Sequence, residues 1–232
     1  MKKMPEYKLY PIVEKWMVRH FKCFASRSNC GLKYSRCDVV GVRDVGGDLS
    51  GEVETVCIEV KKGTEPFATA SGQALGYRVY GNRVYLADRR MEPFTQDEIA
   101  IASALGIGLI QIRDRKCVEV LSSPLFHPLT RLNLKLLLRM GIAHCQFCGS
   151  YFETGDVKSG RSRFSNLVRE NFKKSVREKK GIMFWNWEVH QRKARLHLSD
   201  RDTNKTYERR FICPDCISRL LKQITPKDWV AE

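Results

Sequence analysis

Two acidic residues and a lysine have the types and spacing that hydrolysis of a phosphodiester requires. Glu59 and Lys61 alternate within the run 53–61 (VETVCIEVK), so in a β-strand their side chains share one face. Asp38 lies at the start of the preceding β-rich run, 37–43 (CDVVGVR). Antiparallel pairing of the two runs, through the glycine-rich stretch between them, would bring Asp38 beside Glu59.

Two carboxylates on one side of a sheet can hold a hard divalent cation, with water completing its coordination. Such a cation polarises a phosphoryl oxygen and lowers the pKa of bound water. A neighbouring lysine can orient that water and balance the developing negative charge. These residue types fit Mg²⁺ or Mn²⁺, and they do not distinguish the two.

The elements that position these residues are predicted to form a mixed α/β sheet with helices on its faces. Hydrophobic periodicity separates helices from strands, and Thr95 with Glu98 predicts a capping box at the start of one helix. In the first half the predicted helices are 7–22, 67–79 and 95–105, and the predicted strands are 37–43, 53–61, 83–87, 108–113 and 117–121. The second half begins with a predicted helix at about 129–140.

The order of these motifs resembles the PD-(D/E)xK nuclease superfamily, and in outline its Holliday-junction resolvases and restriction endonucleases. The resemblance covers about residues 7–122. The positions that match the family's motifs are a helical acid, a strand aspartate, the (D/E)xK pair and a QxxxY motif: Glu14, Asp38, Glu59, Lys61, Gln73 and Tyr77.

The resemblance implies a restriction-endonuclease-like fold and metal-dependent cleavage of DNA. By that resemblance Asp38 and Glu59 bind magnesium and Lys61 activates water. Gln73 would order the site or contact DNA, and Glu14 would support the metal. Cutting of a duplex by one such site per chain implies a homodimer. The alternative for Glu59 and Lys61 is a solvated pair worth a fraction of a kcal/mol, with Asp38 capping a turn.

Four of the nine cysteines form two CxxC pairs, Cys145 with Cys148 and Cys213 with Cys216. Two such pairs supply the four thiolates of a tetrahedral structural Zn²⁺ site. Gly149 follows the first pair, as a tight knuckle would need. The arrangement resembles a treble-clef zinc finger, with a zinc ribbon as the alternative. A redox role is the other reading of CxxC, and no thioredoxin-like βαβ pattern surrounds either pair.

The second half of the chain is strongly basic. The chain has 41 Lys and Arg and 26 Asp and Glu. Residues 1–125 hold 19 of the basic and 15 of the acidic residues, and residues 126–232 hold the other 22 basic and 11 acidic residues. A predicted helix at 163–179 has an apolar stripe and a basic face, and a hairpin is predicted at 182–200. We expect this half to bind nucleic acid through phosphate contacts. The candidate contact residues are Arg161, Arg163, Lys173, Lys174, Lys179, Lys180, Arg192 and Arg195.

Charge and composition therefore divide the chain into a nuclease-like domain at 1–125 and a small α+β zinc domain at 126–232, with the prolines Pro124 and Pro128 at the boundary. A net charge of +15 favours an anionic partner, and DNA is the first candidate. We expect no membrane span, because no apolar run reaches the required length. Unpaired cysteines and the lack of a secretory signal favour the cytoplasm.

Three functions fit this sequence. The first is a metal-dependent endonuclease with a zinc module that binds DNA. The second is a nucleic-acid-binding regulator that keeps the nuclease fold and does not cut. The third is a zinc-stabilised protein-interaction domain whose basic surface meets an acidic partner.

Overall fold

The fold is known from a computed structural model, which describes residues 5–32, 35–46, 52–145, 147–153, 182–184, 210–213, 215–216 and 219. The chain divides into two compact units, Met1–Met140 and Gly141–Glu232. None of the helices in the described part of the chain has the length and apolarity needed to cross a bilayer.

The first unit is built on a six-stranded mixed sheet in the order β1-β2-β3-β4-β5-β6. Neighbouring strands are antiparallel except for the parallel pairs β3/β4 and β4/β5. The strands are β1 (Cys23–Gly31), β2 (Arg36–Asp44), β3 (Val53–Lys61), β4 (Arg83–Arg89), β5 (Gly108–Arg113) and β6 (Lys116–Leu121). The helices are α1 (Tyr10–His20), α2 (Phe67–Leu75), α3 (Gln96–Leu105) and α4 (Thr130–Arg139).

The sheet is covered by helices, as the sequence predicted for an α/β fold. Val13 and Met17 of α1 are buried against one face, where Ile58 and Val60 lie in the same core cluster. Helix α2 packs against β3 and β4, and a 3-10 turn at Gly76–Val79 follows it. Strand β3 is therefore buried along nearly its whole length, as expected for a central strand.

The sequence patterns located most of these elements. The strands predicted at 37–43, 53–61, 83–87, 108–113 and 117–121 are confirmed with small shifts at their ends. The capping box is confirmed too: Glu98 N–H donates to Thr95 Oγ1 at 3.2 Å, and Thr95 N–H donates to Glu98 Oε2 at 2.8 Å. The helix predicted at 67–79 ends in the 3-10 turn at Gly76.

Strand β1 was missing from the prediction. Its sequence, CFASRSNCG, has few β-branched residues, and its exposure pattern lacks a strict alternation. It forms because its backbone pairs with β2 over Cys23–Gly31. This backbone pairing is not visible in the types of its side chains.

The division between units also differs from the predicted one, falling at Met140/Gly141 instead of 125/126. The reason is helix α4, which the first unit retains. The Asn133 side-chain amide donates to Thr55 Oγ1 at 2.9 Å and to the Tyr80 carbonyl at 2.8 Å. Leu136 and Leu137 of the same helix are buried. The predicted boundary marked the change in charge, whereas packing and these hydrogen bonds set the structural one.

The described residues of the second unit form two short antiparallel strand pairs. Strand β7 (Ile142–His144) pairs with β8 (Tyr151–Glu153), and β9 (Ile182–Phe184) pairs with β10 (Arg210–Ile212). The predicted helix at 163–179 lies outside the described residues, as does most of the hairpin predicted at 182–200.

Candidate active site and metal centre

Asp38 is tied to both the first helix and the central strand. The Tyr10 hydroxyl at the start of α1 donates to Asp38 Oδ1 at 2.6 Å. The regular pairing of β2 with β3 extends to Val39 opposite Ile58, and beyond it the Val60 backbone N–H donates to Asp38 Oδ2 at 2.8 Å. The carboxylate is therefore fixed where the two strands separate, by the backbone of the residue that follows Glu59.

Glu59 and Lys61 form a buried ion pair at the end of β3. Lys61 Nζ lies 2.7 Å from Glu59 Oε1, and the two residues are only 6% and 5% exposed. The Tyr77 hydroxyl donates to Glu59 Oε2 and also lies 2.8 Å from the Arg36 carbonyl oxygen. Tyr77 thereby connects the turn after α2 to the ends of both β2 and β3.

Two more carboxylates approach the lysine. Glu65 Oε2 lies 3.2 Å from Lys61 Nζ, and Glu6 Oε1 lies 3.4 Å from it. Sequence analysis found neither of them, nor Tyr10. The four-residue spacing of Lys61 and Glu65 was the signal in the sequence that could have predicted their contact. Glu6 and Tyr10 reach the cluster through the packing of the N-terminal segment.

The environment determines the charge states of the pair. Burial raises the pKa of Glu59, although the hydrogen bonds from Lys61 and Tyr77 oppose that rise. Burial alone would lower the pKa of Lys61, but its hydrogen bond and ion pair with Glu59 outweigh this and raise it. Lys61 is therefore a cation at neutral pH. It can stabilise negative charge, but it does not act as a proton acceptor.

The other two predicted site residues lie in different surroundings. Both carboxylate oxygens of Glu14 accept hydrogen bonds from β1, one from Ser26 Oγ at 2.8 Å and one from Ser28 Oγ at 2.7 Å. Gln73 is exposed on α2, whereas Tyr77, four residues on, is buried. The structure therefore brings together Asp38, Glu59 and Lys61, and Tyr77 is hydrogen-bonded to Glu59. It holds Glu14 against β1.

Asp88 is an acidic neighbour that the sequence analysis missed. It lies at the end of β4, directly opposite Lys61 in the parallel register. Burial raises the pKa of its carboxyl group, and its Oδ1 atom is buried without a hydrogen-bond partner. No motif signals this residue, because the sequence does not specify which strands are neighbours.

The chemistry of Asp38 and Glu59 suits a hard cation, since both provide carboxylate oxygens. Each of the four oxygens already accepts one hydrogen bond, and each retains a second lone pair. In the described part of the chain these two carboxylates are not part of a larger group of metal-ligating side chains. Solvent would have to complete the coordination of any cation bound here.

The predicted four-cysteine group is brought together in the second unit. The Sγ atoms of Cys145, Cys148, Cys213 and Cys216 all lie within 4.8 Å of one another. Three of these residues are buried and Cys148 is exposed. The group could hold a metal such as zinc, which four thiolates coordinate tetrahedrally in structural sites.

Local backbone geometry explains how the knuckles form. Gly149 has φ +78°, the left-handed conformation that glycine adopts without cost, and its N–H donates to the Cys145 carbonyl at 3.0 Å. In the second pair, Cys216 N–H donates to Cys213 Sγ at 3.4 Å, and Cys213 N–H donates to Cys145 Sγ at 3.4 Å. These donors would stabilise thiolates.

The eight candidate nucleic-acid contacts fall outside the described residues. They are Arg161, Arg163, Lys173, Lys174, Lys179, Lys180, Arg192 and Arg195. Their role stays a prediction from charge and spacing.

Comparisons with known proteins do not assign the chain to a family. No protein-family model matches it, and no curated protein matches it. One solved structure to which it is similar is a protein of unknown function from Silicibacter pomeroyi. The identity is 19%, the match covers 60% of this chain and 86% of that one, and the TM-score is 0.45.

Proposed function

We propose that this protein is a metal-dependent endonuclease that hydrolyses DNA phosphodiester bonds and uses its zinc module to bind DNA. The observation on which the proposal depends is the buried Glu59–Lys61 pair at the end of β3, with Asp38 anchored beside it through Val60 N–H. A buried cation next to two carboxylates is costly for the fold, and such groups concentrate at functional sites.

Each residue of the cluster has a role in this proposal. Asp38 and Glu59 hold Mg²⁺ or Mn²⁺, which when bound would polarise the phosphoryl oxygen and acidify a water molecule. Lys61, which is protonated, orients the attacking water and stabilises the negative charge that develops on the phosphate. Tyr10 and Tyr77 fix the directions of the two carboxylates through their hydroxyl groups.

The rest of the chain supplies affinity for the substrate. A zinc centre at the four cysteines would hold the second unit together, and the basic residues between the two CxxC pairs would contact phosphates. Gln73, exposed on α2, is available to contact DNA. Glu14 contributes indirectly, by fixing α1 to β1 through Ser26 and Ser28. A homodimer would provide two sites for cutting a duplex.

One observation favours the non-cleaving regulator as a second candidate. Every carboxylate oxygen of Asp38 and Glu59 already accepts a hydrogen bond from the chain itself, and Lys61 lies within 3.4 Å of three carboxylates. A polar cluster with all of these groups paired is stable without a metal ion, and under this second proposal its role is structural, connecting the strand ends. In that case the protein would bind DNA and leave it intact.

A cleavage assay distinguishes the candidates. Labelled duplex, single-stranded, flap and four-way-junction DNA would be incubated with the protein, with Mg²⁺, with Mn²⁺ or without either. Lys61→Met and Asp38→Asn would be compared with matched changes at exposed positions, Lys15→Met and Asp97→Asn.

The expected result is metal-dependent cutting that is lost in Lys61→Met and Asp38→Asn and kept in both controls. If the protein binds every substrate and cuts none, the non-cleaving regulator becomes the better proposal. If it binds none of the DNAs, the protein-interaction domain is the proposal that remains.

A further inference from the structure

A cavity of about 610 Å³ lies in the first unit at the ends of β4 and β5. Its volume is within the ~300–1,000 Å³ range of small-ligand sites. Its apolar wall includes Leu9 and Ile12 from the N-terminal segment and α1, with Ile112 from β5. The cavity is open to solvent and can therefore admit a group that projects from a larger molecule.

The polar wall of the cavity is dominated by cations. Lys62, Arg89, Arg113 and Arg115 line it, and Asp114 is the acidic residue of the lining. Arg113 Nε meets Asp114 only at 3.9 Å, with both side chains well exposed. The positive charge of the wall is therefore largely uncompensated and directed at solvent, which favours a ligand with negative charge.

Arg90, the remaining cation of the wall, is already engaged. Its guanidinium forms a bidentate ion pair with the Glu98 carboxylate, with N···O distances of 2.9 and 3.1 Å, and stacks over the Phe94 ring. It is a fixed part of the wall. The cations available to a ligand are those on Lys62, Arg89, Arg113 and Arg115.

The turn that carries Arg115 has an unusual backbone. Asp114 and Arg115 connect β5 to β6, with φ values of +46° and +62°. A two-residue hairpin turn of this kind favours glycine at its second position, because other residues are disfavoured at positive φ. The chain has an arginine there, so the cation is placed on the cavity rim against the conformational preference of its own backbone.

The cavity and the Asp38–Glu59–Lys61 cluster are built from the same two short segments. Leu9 lines the cavity, and the next residue, Tyr10, binds Asp38. Lys62 lines the cavity, and the preceding residue, Lys61, is paired with Glu59. The two features therefore meet at two points of the chain, residues 9–10 and 61–62, and a nucleic-acid strand that reaches one can extend to the other.

We infer that this cavity, whose free cations include Lys62, Arg89, Arg113 and Arg115, is a nucleotide subsite that binds one unit of a nucleic-acid strand beside the cluster. The arginines and the lysine contact the phosphate, and the sugar or base lies against the apolar wall of Leu9, Ile12 and Ile112. This inference rests on the proposed function, which is the reason for a nucleic-acid strand to lie beside the cluster. The binding itself can be measured without cleavage.

The test is a binding titration with a fluorescein-labelled DNA duplex in chelator-free buffer without Mg²⁺ or Mn²⁺, read by fluorescence anisotropy over a range of NaCl concentrations. The double variant Arg113→Gln/Arg115→Gln would be compared with Arg27→Gln/Arg139→Gln, which removes the same charge from two exposed positions. Arg27 lies on β1, at the opposite edge of the sheet, and Arg139 ends helix α4, which packs against β1. We expect the first pair to bind about ten-fold more weakly, with a salt dependence shallower by about two counterions. The second pair should bind like the wild type. Thermal melts would show that both doubles are folded.

Equal weakening in both doubles, or no weakening in either, would overturn the subsite. Failure of the wild type to bind DNA would overturn it too. The outcome for the proposed function is separate, because it is read from cutting. If the wild type binds DNA through Arg113 and Arg115 but never cuts it, the subsite proposal stands and the nuclease proposal fails. If the wild type cuts DNA while the double variant binds it unchanged, the nuclease proposal stands and the subsite proposal fails.

Discussion

Lys61 Nζ lies 2.7 Å from Glu59 Oε1, and both side chains are almost completely buried at the end of the central strand. The alternation in the sequence shows only that the two residues share a face. Burial makes the contact energetically important, because a charge out of water requires its partner. The pair therefore has consequences for stability that are independent of any catalytic role.

Replacing Lys61 by methionine should destabilise the first unit by about 3 kcal/mol at neutral pH, because it leaves the Glu59 carboxylate buried and without its cation. Burial raises the pKa of Glu59, and losing Lys61 would raise it further. The folded variant would then bind a proton more tightly than the unfolded chain, so its stability should increase as the pH falls. Urea unfolding at pH 7 and pH 5 measures both effects. Lys15→Met, at an exposed position, is the control, and an equal loss in both variants would contradict the prediction.

Glu54 should make stability depend on pH in the opposite direction. Burial favours its neutral form, but hydrogen bonds from Arg83 and Arg43 lower the pKa of Glu54 below its ordinary value of 4.5. The stabilising contribution is therefore fully present above that value and is lost as the pH falls through the lower folded pKa. Glu54→Gln should be less stable than the wild type at pH 7, and the difference should shrink below about pH 4. A difference that is constant from pH 7 to pH 3 would show that charge has no part in it.

The four-cysteine group should bind one zinc ion per chain. Cys213→Ser removes one of the four thiolates and should abolish or greatly weaken binding, since structural sites need all four ligands. Cys117→Ser, at a half-buried cysteine of β6 outside the group, is the matched control and should keep the metal. Elemental analysis of protein purified in chelator-free buffer gives the stoichiometry. Retention of zinc by Cys213→Ser would place the metal elsewhere.

Glycine at position 115 should stabilise the protein while removing a cation from the cavity. Arg115 has φ +62°, which costs an L-residue about 1 kcal/mol relative to glycine. Arg115→Gly should therefore raise the melting temperature by a few degrees. Arg113→Gly, two residues earlier at the end of β5, should lower it instead. A lower melting temperature for Arg115→Gly would mean that the arginine side chain makes stabilising contacts that outweigh the strain.

Features that depend on residues close together in the chain were predictable from the sequence alone. Alternating apolar residues defined β3, and the Thr95–Glu98 pair defined the start of α3, because the hydrogen bonds of a capping box join residues three apart. The two CxxC pairs predicted a four-thiolate group, since two thiolates on one knuckle need two more to complete a tetrahedral site.

Features that join distant segments were visible only once the tertiary structure was known. Strand β1 exists through its pairing with β2, and α4 belongs to the first unit through the contacts of Asn133 with Thr55 and Tyr80. Helix α4 itself was predicted, at about 129–140, but neither the pairing of β1 nor the packing of α4 on the first unit has a local signal. Their stability comes from hydrogen bonds and burial that become available only when the partner segment is in place.

The candidate site shows the same division. The types and order of Asp38, Glu59 and Lys61 were visible in the sequence, and so was the strand face shared by the last two. The burial of the pair, the hydrogen bond from Tyr10 to Asp38 and the position of Asp88 opposite Lys61 in the sheet were not. Sequence spacing determines local direction, but strand order and helix packing decide which side chains meet, because those depend on the free energy of the whole fold.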